Sequence, residues 1–133
     1  MSPTPAPRAL RLRRGSRQLE VEWPDGRVDA LSFEYLRVFS PSAEVQGHGG
    51  GEPVLVPGKR AVDLLAVEPV GGYAVRLRFS DGHASGLYTW TWLRDLATGQ
   101  AAHWARYEQR LAAAGMSRDS ARVTLAGLPP ARS

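Results

Sequence analysis

The chain has 133 residues, 43% hydrophobic and 23% charged, which is the composition of one globular domain and not of a disordered chain. With 0 cysteines it has no disulfides, thiolate metal sites or cysteine nucleophiles, and no apolar run approaches the roughly 18 residues of a membrane helix. Lys+Arg outnumber Asp+Glu by 17 to 13, a formal charge of +4, and Lys59 is the single lysine.

Residues 1–7 are punctuated by proline and have no apolar core of a signal peptide, so they read as a disordered arm of a cytoplasmic protein. Five arginines (Arg8, Arg11, Arg13, Arg14 and Arg17) follow in a stretch without acids. A basic arm can neutralise phosphates. No nucleic-acid motif accompanies this one, so its charge reads as protection of a strand edge, and a nucleic-acid partner is not expected.

Leu10 and Leu12 alternate with arginines, and Leu19, Val21 and Trp23 alternate with Glu20 and Glu22, the period of strands. Pro24-Asp25-Gly26 is turn chemistry, and a short strand returns over 27–31. Ser32 is placed to cap a short helix over 33–38. Residues 40–60, rich in glycine and proline, predict a long irregular loop of the kind that is often functional or mobile. Strands are expected again over 63–69 and 73–80, the second with Val75, Leu77 and Phe79 on one face. Asp81-Gly82 turns the chain, Leu87 and Tyr88 close a hairpin, and Thr89 caps a helix over 89–97 bearing Trp90, Leu93 and Ala97. A longer helix over 101–114 carries Trp104, Tyr107 and Leu111 inward, stops at Gly115, and leaves 116–133 as a tail.

The expected fold is therefore α+β. It has a twisted, mainly antiparallel sheet, short helices, and one longer C-terminal helix packed on it. Its expected core is Leu19, Val21, Trp23, Val75, Leu77, Phe79, Trp90, Leu93, Trp104, Tyr107 and Leu111. Residues 21–37 also echo 77–94: strand, Asp-Gly turn, short strand, aromatic-rich helix, Leu-Arg, at an offset of 56 and then 57. A duplicated unit and a coincidence of common hairpins both fit that echo.

Few residues read as chemistry. The glycine-rich run before Lys59 fails as a phosphate loop, with Pro53 at the first glycine position and Arg60 where Ser or Thr belongs. The spacing of Gly47 and Gly49 fails as a dinucleotide fingerprint at Glu52. His48, His83 and His103 show no spacing of a triad, and the acids are scattered. His83, with His48, Glu44 and Asp81, is a thin metal set, since zinc takes three or four ligands. A turn histidine bonded to backbone is the commoner use of such a residue.

Val67-Glu68-Pro69-Val70-Gly71-Gly72-Tyr73-Ala74-Val75, then Phe79, Asp81-Gly82-His83, Gly86-Leu87-Tyr88 and Trp90, resemble the gamma-butyrobetaine hydroxylase-like N-terminal domain. So do Leu19 to Trp23, Asp25-Gly26 and Leu36-Arg37; the likeness runs over residues 8–115. The resemblance implies a small standalone bacterial protein. Relatives are fused ahead of Fe(II)/2-oxoglutarate oxygenases of carnitine biosynthesis, or to P-loop iron–sulfur carrier ATPases. This chain is too short for an oxygenase, so that chemistry is not expected. In the hydroxylase branch the resemblance implies a structural zinc on three cysteines and a histidine. The matching positions here are Ser40, Ser42, Val45 and His83, so only the histidine persists.

The expectation is a non-catalytic binding or adaptor module with a protein partner, no cofactor and no membrane. The alternative is a metal-binding accessory protein, for zinc or iron and linked to iron–sulfur metabolism, using His83 with His48.

Overall fold

The computed structural model describes residues 4–41 and 55–119. Their order is β1 (Ala9–Arg13), β2 (Gln18–Glu22), β3 (Val28–Ser32), α1 (Phe33–Val38), β4 (Leu64–Val70), β5 (Ala74–Phe79), β6 (Leu87–Thr89), α2 (Trp90–Thr98) and α3 (Gln100–Ala114). The α+β class, the antiparallel pairing and the longer C-terminal helix are as expected. The strands divide, however, into two three-stranded sheets, β1-β2-β3 and β4-β5-β6, where the sequence pointed to one.

The division has a local cause. Ser32 accepts a hydrogen bond from the Tyr35 N–H and starts α1 directly at the end of β3, so β3 gains no second neighbour. The edge of β4 is turned toward the other sheet and covered there by arginine. Arg14 donates to the carbonyls of Leu64 and Leu65, and Arg17 donates to Val62 O and Asp63 Oδ1. Arg8, Arg11 and Arg13 pair with Glu20 and Glu22 across β2. Each of the five N-terminal arginines thus has an intramolecular partner. Pro69, which lacks an N–H to donate, falls on this edge strand, where proline is tolerated.

The core lies between the sheets and α1 and α2. Leu19, Val21, Trp23, Leu31, Phe33, Leu36, Leu64, Val75, Leu77, Phe79, Tyr88, Leu93 and Leu96 are all buried in one cluster. Each such apolar side chain contributes about 1.5–3 kcal/mol. Val38, Tyr107 and Leu111 form a second cluster under α3, joined by Leu55, Val56 and Met116. Two expected core residues are corrected: Trp90 and Trp104 are only half-buried, packed against the margin of the core. Past Gly115, the Gly58 N–H donates to Ser117 O and the Arg60 N–H to Arg118 O, so residues 116–119 lie along the domain. Residues 42–54, most of the expected loop, are outside the described residues, as is the chain beyond 119.

The echo in the sequence is a repeat in the structure. Each half is a three-stranded antiparallel sheet followed by a capped helix. In the first turn the Trp23 N–H donates to Arg27 O, the Gly26 N–H to Trp23 O, and the Arg27 N–H to Asp25 Oδ1. In the second, the Phe79 N–H donates to His83 O, the Gly82 N–H to Phe79 O, and the His83 N–H to Asp81 Oδ1. Gly26 and Gly82 carry φ of +90° and +89°, which glycine adopts without strain.

The halves then grip each other reciprocally. Arg37 of α1 reaches Asp81 at 2.7 Å, and Arg94 of α2 reaches Asp25 at 2.8 Å. Tyr35 OH donates to Leu96 O, and Trp92 Nε1 donates to Phe39 O. Residues 35 and 92, like 39 and 96, are equivalent positions at the offset of 57.

Candidate functional site: the Asp81–His83 turn

The turn after β5 aims His83 inward. Its main-chain bonds to Phe79 and Asp81 fix the backbone, and the residue is left 7% exposed with its ring 6.3 Å from that of Phe79. From the other half, α1 is capped at Phe39 and delivers Ser40, which is 0% exposed. Ser40 Oγ and His83 Nε2 share a hydrogen bond of 2.8 Å. Gly86 makes room for it: a Cβ there would fall 2.3 Å from Ser40 Oγ and 3.2 Å from Pro41 Cδ. Tyr88, fully buried alongside, donates its hydroxyl to Leu36 O. Burial raises its pKa, more than the Ser40 hydroxyl and the Arg37 charge lower it.

Charge gathers at the rim of this pocket. Arg37 Nε donates to Asp81 Oδ2 at 2.7 Å, and Lys59 Nζ lies 2.8 Å from the same oxygen. Partial burial alone would raise the Asp81 pKa. Lys59, the His83 N–H and Arg37 together outweigh it and hold the carboxyl at about 2. Arg37 Nη1 is fully buried and finds no hydrogen-bond partner among the described residues. An unsatisfied buried donor costs about 1–3 kcal/mol, and more when charged.

The serine and histidine are within the distance of a nucleophile–base pair. Ser40 is shut from solvent and covered by Gly86. Asp81 accepts the main-chain N–H of His83.

The two described residues of the implied zinc set, Ser40 and His83, are not placed as a pair of zinc ligands. Two ligands of tetrahedral zinc stand about 3.3 Å or more apart at ordinary metal–ligand lengths. Ser40 and His83 are instead joined directly by a hydrogen bond. Ser42, Glu44, Val45 and His48 lie outside the described residues. Among the described residues, no three His, Cys, Asp or Glu side chains are grouped as metal ligands would be.

A second feature was not foreseen. Ser32, Glu34, Tyr35, Gln100, Ala101, Trp104 and Arg118 line a cleft of 520 Å³ between α1 and the start of α3. Arg118 holds the buried Glu34 carboxylate through two hydrogen bonds, of 2.8 and 2.6 Å. Its guanidinium also lies 5.0 Å over the Trp104 ring, which Tyr35 meets edge-on. Arg118 lies 84 residues from Glu34, so no local pattern announces the pair.

The family model described as gamma-butyrobetaine hydroxylase-like, N-terminal, matches residues 10–94. The chain belongs to this family. Two protein structures solved in solution by NMR are similar to it. One is 46% identical, with a TM-score of 0.77, covering 95% of this chain and 100% of its own. The other is 49% identical, with a TM-score of 0.76, covering 92% and 96%. A crystal structure of a protein of unknown function from the DUF971 family of Acidithiobacillus ferrooxidans is 42% identical, with a TM-score of 0.60, covering 73% and 98%. No curated protein matches. The hydroxylase-like domain here therefore has relatives of its own length, and among its described residues no helix is long and apolar enough to cross a membrane.

Proposed function

We propose that this domain is a non-catalytic binding module that recruits a protein partner in the cytoplasm. The observation that carries the reading is the cleft at Trp104, which sets a half-buried tryptophan against an arginine, the residue types that dominate binding hot spots. Its volume is in the range of ordinary ligand pockets. The internal pairing of Arg8, Arg11, Arg13, Arg14 and Arg17 argues against nucleic acid, since those charges are already engaged. Affinity capture on the purified chain tests the reading. A protein retained by wild type should be lost with Trp104→Ala of unchanged circular dichroism. Equal retention by both would remove the cleft from the function.

We further take the domain to fold without metal, because a hydrogen bond occupies the place where two zinc ligands would stand. Chelator should leave its melting temperature unchanged. Stoichiometric zinc or iron, with loss of fold on chelation and in His83→Ala, would restore the metal-binding reading.

A further inference from the structure

The repeat supplies an internal comparison. At the first turn, Arg94 is 29% exposed on its side chain, lies 4.9 Å over the Trp23 ring, and reaches Asp25. The second turn is built differently at equivalent positions. His83 stands for Arg27, Ser40 for Ala97 and Tyr88 for Leu31, and Lys59 is added. The first half folds the same way without these polar groups, so the fold itself does not call for them.

Among the described residues, what they create is an uncompensated charge. Arg37 and Lys59 both direct a donor at one oxygen, Asp81 Oδ2, while Asp81 Oδ1 is taken by the His83 N–H. Among the described residues, two cations share one carboxylate, and Arg37 Nη1 remains buried without a partner. The Lys59 side chain is 23% exposed and that of Asp81 21%, so the cluster meets solvent on the lysine side. Lysine is a mobile point charge that can leave one oxygen for another.

We infer that Arg37 and Lys59 form a binding site for a carboxylate. The carboxylate would enter on the exposed lysine side, bond Lys59 Nζ, and reach the buried Arg37 Nη1 as Lys59 swings away from Asp81, through charge-assisted hydrogen bonds. A carboxylate is favoured over a phosphate because one negative charge balances the surplus. A doubly charged group would be left facing Asp81. The carboxylate can come from a free small acid or from an acidic side chain of a partner; the second source rests on the binding-module reading above.

The test uses the intact chain at pH 7 and constant ionic strength, with sodium acetate replacing sodium chloride. The site predicts a saturable rise in melting temperature specific to acetate. Lys59→Met should weaken it about tenfold or more, as loss of a charge-assisted contact does. Arg94→Met, at the equivalent place in the other half, should leave it unchanged. A capped peptide of Glu and Gly should compete with acetate, and its Gln counterpart should not. Competition by the peptide assigns the site to a partner's acidic side chain, and acetate binding without it assigns the site to a small acid. Equal effects of acetate and chloride would mean that an ordered water serves Arg37 Nη1 and would overturn the inference. So would an acetate effect that survives Lys59→Met. Neither result bears on capture through Trp104, so the two readings fail separately.

Discussion

At Gly86 the absence of one methyl group decides how the two halves meet. Gly86→Ala would drive a Cβ to within 2.3 Å of Ser40 Oγ. Either Ser40 leaves His83 or the backbone shifts, at about 1–3 kcal/mol, the usual cost of overpacking. Urea denaturation should show that loss, and Ser40→Ala/Gly86→Ala should cost less than the sum of the single changes. Additive costs would mean the two residues do not press on each other. Asp81 carries a pH signature. Its pKa is about 2 when folded against 3.8 as a free side chain, so the folded state holds the charged form more firmly. That stability is complete above about pH 4 and is lost as pH falls toward 2. Denaturation midpoints measured from pH 5 to pH 2 should fall less steeply in Asp81→Asn than in wild type; parallel curves would discount the Lys59–Asp81–Arg37 cluster. Of these residues the sequence displayed the Asp81-Gly82-His83 turn, because turn chemistry is local. Ser40 was reached only through family resemblance. The meeting of Arg37 with Asp81 spans 44 positions and leaves no periodic trace.

At the level of elements, strands and caps were legible where alternation or a capping hydroxyl spoke locally. Ser32 and Thr89 do cap α1 and α2, accepting from the N–H groups of Tyr35 and Trp92. The buried faces were less legible. On α2 the buried residues are Leu93, Leu96 and Ala97, not Trp90. Trp90 sits at the first helical position with its indole N–H donated to Gly72 O, and that bond holds it at the surface margin. Trp104 is likewise marginal on α3, under the Arg118 guanidinium. The two tryptophans of equal sequence prominence should therefore differ in stability. Trp23 is 1% exposed and donates to Asp29, so Trp23→Ala should cost about 3–5 kcal/mol. Trp104→Ala should cost about half that, since much of its ring is in the cleft. Chemical denaturation of both variants ranks them, and the reverse order would exchange their places in the core.

For the whole molecule, the repeat explains how two separate sheets come to share one core. Neither sheet continues into the other. What joins them is a set of reciprocal contacts: Arg37 with Asp81, Arg94 with Asp25, Tyr35 with Leu96, and Trp92 with Phe39. The core cluster, with Leu19 and Leu36 from one half and Leu77 and Leu93 from the other, also spans the junction. The covalent link between the halves is thus not what holds them. Cutting the chain once between Gly49 and Gly50 should leave two fragments associated at micromolar concentration, with a single cooperative unfolding transition. The melting temperature should become dependent on concentration, because loss of the connection makes folding bimolecular. Arg37→Met in the cut protein should weaken association more than Arg94→Met, since Arg37 is buried at the junction while Arg94 is partly exposed. Native mass spectrometry and size-exclusion chromatography read the outcome directly. Fragments that separate, or that melt independently, would show that the junction is held by the connecting segment and not by the contacts between the repeats.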